Sequence, residues 1–412
     1  ILEFEPQRTL KGPYRVPRIV TEVESRPVDG TRCRFRTCYD VDLLPLTLEE
    51  VALEGQRLRL KFQLLSGLQF AELSLQRMRL HLHGDAVVKS TLYLWLCRYV
   101  QGMTIQAIGD GQANQQIQLG GADIQPVGFD DADGLIPYPP TSAIGYRVLQ
   151  EYFAFPNKFM FIDLTGLESA ASLGIEDAFE ITIHFSRRPD EPLRVGKDNI
   201  RLNCTPVVNL FARKSDPIRV EQNRAEYRVR PEGPNSQHYE VYSVDGVIGW
   251  VQGTVQQHEY TPFYSFKHGL NASNRDTVYY QTRLRSSVVS EDTTETYMSF
   301  VTANQSGVMP PTETVSLELT CMNRRLAERL PVGAINQPTH SSPEFARFRN
   351  ITNVTPAIRL PLDESLHWRL ISHLSLNRLP ITNQETLRGL LELYNFQAFY
   401  DRQAAEENQR RL

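Results

Sequence analysis

Apolar and polar residues alternate strictly from Arg57 to Leu64 and again from Ala178 to Phe185, where Phe179, Ile181, Ile183 and Phe185 share one face and Glu180, Thr182 and His184 the other. A period of two marks half-buried strands. Leu73 to His83 alternates too, but the polar pair Gln76 and Arg77 shifts its phase, as the extra residue of a β-bulge would. Between these runs Asp85 to Arg98 predicts a helix that caps the sheet. The segment Ile144 to Leu164, IGYRVLQEYFAFPNKFMFIDL, packs six aromatic side chains into 21 residues. Tyr146, Leu149, Tyr152 and Phe153 follow helical spacing, Pro156 ends the helix, and Phe159, Phe161 and Leu164 predict a short buried strand. Because aromatics bury large areas, this stretch is expected to form a core corner that buries Tyr152, Phe153, Phe155 and Phe159 together.

The charged, proline-bearing stretch Ser186 to Asp198 reads as a domain boundary. Beyond it, runs rich in Tyr, Val and Thr at Glu226–Arg230, Tyr239–Val244, Thr277–Leu284, Thr296–Val301 and Thr314–Cys321 are spaced by turn residues, a sandwich-like pattern. Glycine and proline punctuate Pro331 to Pro361, after which Leu366, Leu370 and Leu374 share one helical face. Leu387, Leu390, Leu391 and Tyr394 share another, behind a Thr382-x-x-Glu385 capping box. At 412 residues the chain exceeds what one core organises. The expected division is a connecting segment at 1–42, a β-rich domain with helical insertions at 43–188, a second sandwich-like domain at 189–330, and a linker with a helical region at 331–412. The fold class is mainly β with α insertions, multidomain, with a short helical C-terminal region.

Hydrophobic content of 41% and charged content of 22% are those of a globular protein, and a formal net charge of −4 argues against a nucleic-acid binder. The longest apolar window, Leu92 to Val100, is interrupted by Arg98 and is too short to span a bilayer, so no direct membrane insertion is expected. Five scattered cysteines suit a reducing compartment, and on a strand Cys33 and Cys38 would face opposite ways and not pair. Five Asn-x-Ser/Thr sequons, Asn203 and Asn350 among them, would suit a secreted glycoprotein, but no signal peptide accompanies them.

No motif points to catalysis. His81 and His83 have the spacing of two metal ligands on a strand, but Arg79 shares their face and its fixed charge disfavours a dication. Phe129 to Gly134, FDDADG, resembles half an EF-hand loop, yet Phe129 stands at position one and Pro140 at position twelve, which leaves an acidic surface loop. His258-Glu259 lacks a second histidine four residues on, since Pro262 stands there, and His367 and His373 are six apart where a helical zinc pair needs four. Gly109-Asp110-Gly111 lacks the third glycine of a dinucleotide loop. No metal ligand, cofactor or catalytic residue is therefore assigned, although a triad assembled by the fold stays open. Arg32, Arg34 and Arg36 alternate along one strand face, either as a solvated edge with blunted pairing or as a surface for an acidic partner.

The aromatic segment closely resembles the signature of TssF, the baseplate-subunit family of bacterial type VI secretion systems. Three further stretches resemble the family in its order: CRFRTCYDVDLLPL from Cys33, NLFARKSDPIRV from Asn209, and INQPTHSSPEFARFRNIT from Ile335 followed by LHWRLISHLSLN to Asn377. The family carries further sequence at both ends, which implies a piece of a longer subunit. The resemblance implies a non-enzymatic wedge protein with two copies bound per TssG, joined by TssE and TssK around the VgrG spike hub. Such wedges serve as the platform for tail-tube and sheath growth, in the bacterial cytoplasm, docked at the inner-membrane complex. On that reading Arg32, Arg34 and Arg36 become candidate partner contacts, and Leu374 and Leu391 candidate anchors of the tail on another subunit or a further C-terminal region. A carbohydrate-binding sandwich and a secreted or viral coat module share the β pattern and remain alternatives.

Overall fold

The computed structural model describes residues 1–65, 67–109, 115–138, 144–188, 193–221, 223–251, 257–265, 278–287, 293–302, 313–357, 368, 371, 384–395 and 406. The chain divides into two compact units that interleave along the sequence: Ile1–Val23, Thr37–Val208 and Pro331–Leu412 form one, Glu24–Arg36 and Asn209–Leu330 the other. This replaces the linear partition expected from the sequence. Residues 1–42 are not a connector, because the alternating Leu2 and Phe4 are buried and the strand Leu2–Pro6 is the central one of three, between Cys204–Thr205 and Ala346–Asn350. The division near residue 188 moves to 208/209.

The first unit is built on two antiparallel sheets. One has the order Gln116–Gly120, Val100–Ile108, Ala178–Phe185, Arg57–Leu64, Leu46–Glu54. The other has the order Ile124–Pro126, Phe161–Thr165, Arg77–Leu82, Ile200–Arg201. Their apolar faces supply one core cluster, in which Phe179 stacks on Phe62 at 4.9 Å and meets Phe70 edge-on at 5.1 Å. Arg57–Leu64 is half-buried as its alternation predicts, but Ala178–Phe185 is buried on both faces as the middle strand. Its Glu180 tolerates burial because Arg59 donates to the carboxylate from Nε at 3.2 Å and from Nη2 at 2.8 Å.

Leu73 to His83 is not a bulged strand. Phe70–Leu73 is a 3₁₀ turn, Ser74 takes a left-handed φ of 45°, and the strand starts only at Arg77, so the phase shift is a change of element. Helix α1, Ala86–Arg98, is capped by the Asp85 carboxylate, which accepts from Val88 N–H at 2.8 Å, and buries Leu92, Trp95 and Leu96. The Trp95 ring meets Phe185 edge-on at 5.2 Å, which seats the helix on the core cluster.

The second unit packs two further sheets. Phe211–Lys214, Glu313–Met322, Glu240–Val251 and Gln257–Glu259 form one, with Ile218–Val220 also paired to Glu313–Met322. Tyr227–Arg228, Thr294–Thr302, Val278–Ser286 and Thr261–Pro262 form the other, and Val247, Val315 and Leu317 meet Tyr227, Tyr280 and Met298 between them. Each of the five runs expected here overlaps a strand: Tyr227–Arg228, Glu240–Val251, Val278–Ser286, Thr294–Thr302 and Glu313–Met322. The unit also contains most of a hairpin, Glu22–Val28 and Thr31–Thr37, turned by Asp29 and Gly30 at φ of 48° and 76°. Positive φ at both central residues is the requirement of a type I′ turn, and Asp-Gly is among its preferred pairs.

Candidate functional site

The aromatic segment folds as helix α2, Ile144–Ala154, a 3₁₀ turn Pro156–Phe159 and the strand Phe161–Thr165. Its inward side is ionic. Arg147, Glu151 and Lys158 are all buried. The Lys158 ammonium donates to the Glu151 carboxylate and to the Asp133 carbonyl at 3.0 Å, and lies 4.8 Å from the Phe159 ring centre. Glu151 also accepts from Leu135 N–H at 2.7 Å. The Arg147 guanidinium donates to the Asp130 carbonyl at 2.8 Å and to the carbonyl and carboxylate of Asp131, both at 3.2 Å. Burial pulls the Lys158 pKa down, against the opposing pull of Glu151. The 129–134 loop is thus no free acidic surface loop, since its carbonyls and carboxylates receive two buried cations. Gly128 closes the site from below at φ +110°, where a Cβ would stand 3.0 Å from Phe159, 3.2 Å from the Lys158 carbonyl and 3.3 Å from the Tyr39 hydroxyl.

The outward side of α2 is apolar. Tyr146, Leu149 and Phe153 form a shelf on which Tyr394 is buried, its ring stacked on Tyr146 at 5.8 Å. Tyr394 lies just past helix α3, Gln384–Leu393, so this part of the tail docks on its own chain. Of the aromatics expected to be buried together, Phe153 and Phe159 are buried and Phe155 is half-buried, while Tyr152 is exposed, as the helical turn carries it away from both the shelf and the ionic side. Leu391 is half-buried and Leu387 exposed; Leu366, Leu370 and Leu374 lie outside the described residues.

A family profile described as "Type VI secretion system, TssF" matches residues 1–411. The chain belongs to the TssF family. It is 28% identical over 406 residues to the type VI secretion system component TssF1 of Pseudomonas aeruginosa strain PAO1, a match that covers 89% of this chain and 64% of that protein. The chain therefore spans less than two thirds of this curated relative. A chain of a type VI secretion TssK-TssF-TssG baseplate subcomplex shares its fold with a TM-score of 0.79 at 30% identity, over 96% of this chain and 73% of that one. A chain of a type VI secretion baseplate complex gives a TM-score of 0.60 at 25% identity, over 97% and 70%.

In this TssF-family chain the arginine face is already engaged. Arg34 pairs with Glu24 on the neighbouring strand at 3.0 Å and lies 6.0 Å over the Phe211 ring, and Arg32 reaches the same carboxylate at 3.5 Å. Its backbone is also held, since Arg34 N–H donates to the Asn323 side chain at 3.1 Å and its carbonyl accepts from the Asn209 amide at 2.7 Å. Reversing these charges would set carboxylates against Glu24, so such a variant perturbs the fold as well as any partner.

His81 is buried, its Nδ1 facing the Met160 carbonyl at 3.1 Å, which fixes the proton on Nδ1 because the carbonyl only accepts. Its ring lies 4.5 Å from Phe161 and 6.0 Å from His83. Across the sheet, Arg79 grips Asp163 bidentately at 2.7 and 2.8 Å. Among the described residues no group of three or more His, Cys, Asp or Glu is placed to hold a metal. Burial holds the His81 pKa well below the ordinary value, helped by the positive charges of neighbours that include His83 and Lys89. An unfolded chain takes up this proton near pH ~6.5 and the folded one does not, so stability is expected to fall as pH drops below that value, by at most ~1.4 kcal/mol per pH unit from this residue. Thermal melts between pH 7 and pH 5 check it: His81→Gln should flatten the acid slope, and an unchanged slope would assign it to other groups.

Asn350 has no exposed amide to modify. It donates to the carbonyls of Pro331 at 3.1 Å and Thr352 at 3.0 Å and accepts from Ile335 N–H at 2.9 Å. The sequence pattern showed neither the Arg147–Glu151–Lys158 group nor its carbonyl partners. The one local sign is the i, i+4 placement of Arg147 and Glu151, which reads as a solvated pair until the loop is seen to cover it.

Proposed function

We propose that this chain is a structural, non-catalytic subunit of a type VI secretion baseplate that assembles with TssG and TssK. The observation that carries the reading is the fold likeness, at a TM-score of 0.79 over 96% of the chain, to a chain of a TssK-TssF-TssG subcomplex. Two copies would bind each TssG, and these wedges, with TssE, would surround the VgrG hub in the bacterial cytoplasm and dock at the inner-membrane complex. Among the described residues no helix is long and apolar enough to cross a membrane. Helix α3 supplies a contact: its Tyr394 end is anchored on α2, while Leu387 is exposed and Leu391 half-buried beside it. Leu374 and Leu391 remain the proposed anchors of the tail on another subunit, and any partner role of Arg32, Arg34 and Arg36 is added to their internal pairing.

Co-expression with TssG and TssK, followed by size-exclusion chromatography and mass measurement, tests this. The expected result is co-elution with two copies of this chain per TssG; elution of the chain alone would overturn the reading. Leu391→Asp is expected to reduce recovery of the complex at least tenfold with the melting temperature of the isolated chain nearly unchanged. A large fall in that melting temperature would assign Leu391 to the chain's own packing.

A further inference from the structure

In the second unit Val278–Ser286 runs antiparallel to Thr294–Thr302 along its whole length, from Val278 opposite Thr302 to Ser286 opposite Thr294. The far side of Thr294–Thr302 meets Tyr227–Arg228, with Met298 opposite Tyr227, and Val229 N–H donates to the Thr296 carbonyl at 2.9 Å. Even-numbered residues of that strand thus turn their amides toward Tyr227–Arg228 and odd-numbered ones toward Val278–Ser286. Ser287 N–H, which donates to the Thr293 carbonyl at 2.7 Å, keeps the same phase. In an antiparallel ladder hydrogen-bonded and non-bonded pairs alternate. Gln281, Arg283 and Arg285 therefore direct their amides to Ser299, Tyr297 and Glu295, while Thr282, Leu284 and Ser286 point theirs away from the sheet.

On that outer side Thr261–Pro262 covers only Tyr279 and Tyr280. Among the described residues nothing pairs with the outward N–H and C=O groups of Thr282, Leu284 and Ser286, and Gln281 through Ser286 are exposed throughout. The side chains beside this open ladder have a definite character. Arg283 and Arg285 share a single carboxylate, Glu226, at 3.7 and 2.5 Å, which leaves one positive charge in excess on that face. On the opposite face Leu284 is 53% exposed.

We propose that this edge receives an extended segment of a different subunit, added as a further antiparallel or parallel strand, with acidic side chains over Arg283 and Arg285 and an apolar one beside Leu284. Strand addition takes its affinity from main-chain bonds and its selectivity from alternate side chains. Arginines along an edge discourage indiscriminate pairing, so they select a strand that carries acids. The proposal rests on the reading that this chain works inside an assembly.

The test compares amide exchange of the isolated full chain with that of its co-expressed complex with TssG and TssK, resolved to single residues by fragmentation. Exchange at Thr282, Leu284 and Ser286 is expected to slow at least tenfold in the complex, with little change at Gln281, Arg283 and Arg285. Leu284→Pro removes an outward donor and is expected to lower recovery of the complex at least tenfold. Where that variant fails to fold, Arg283→Gln with Arg285→Gln, which sets no new carboxylate against Glu226, should also lower recovery of the complex through loss of the charges that hold the acidic strand. A complex that forms with all three amides still exchanging freely, or full recovery with the folded variants, overturns strand addition alone. Protection that rises with concentration in the isolated chain would make the occupant a second copy and overturn the different-subunit assignment. Failure of the unaltered chain to join the complex overturns the assembly reading and this proposal with it.

Discussion

Glu151→Ala is expected to destabilise the first unit by about 3–5 kcal/mol, the cost of leaving a buried charge without its partner. The Lys158 ammonium would keep only the Asp133 carbonyl and the Phe159 ring, and Arg147 Nε, 3.9 Å from the carboxylate and already without a hydrogen bond, would lose its counter-charge too. Glu151→Ala combined with Lys158→Met should recover part of the loss, because both charges then leave together. The sign with pH follows from the lowered pKa of Lys158. A basic group whose folded pKa is depressed sheds its proton in the folded chain before the unfolded one does, so stability gains as pH rises through that window. Removing Glu151 depresses the folded pKa further and moves the window down. The deficit of Glu151→Ala should therefore shrink between pH 7 and pH 10, measured as urea midpoints at each pH. A deficit that does not change with pH would mean that Lys158 is neutral in the folded chain already.

Phe179→Ala is expected to cost about 3–5 kcal/mol, as a fully buried Phe does when its cavity cannot collapse. Phe62 and Phe70 pack against its ring from two sides on separate elements, and the middle strand that carries it is clamped by seven register pairs to Arg57–Leu64. A lower urea midpoint at unchanged slope is the signature. Phe153→Ala should fall at the lower end of that range or below it, since its cluster holds only Tyr394 as a second buried member, with Tyr146 and Leu149 partly buried at its rim. Equal losses from the two variants would show that the shelf under Tyr394 is as rigid as the main core.

Some of this architecture is local, and local rules were enough for it. Alternation placed Arg57–Leu64 and Ala178–Phe185, because period two is set by the pleat, and runs rich in Tyr, Val and Thr between turn residues marked five strands of the second unit. Asp85 and Pro156 marked where α1 begins and where α2 must end, since a cap and a missing donor act within one turn. The quoted stretches, spread from Cys33 to Asn377, sufficed to place the chain in its family.

The tertiary structure alone decided how the pieces were divided and which polar groups went inside. A hairpin at 24–36 belongs with strands 200 residues later, and Leu2–Pro6 with Ala346–Asn350, because strand pairing is free to join distant segments and leaves no trace in local periodicity. Helix α2 was read from its apolar stripe as a helix with one buried face. It has two, and the second is made of Arg147 and Glu151, whose burial depends on carbonyls from Asp130, Asp131 and Asp133 and on Lys158. A charge can be buried only where other parts of the chain bring its partners, and that condition is set by the fold and not by the neighbours in sequence.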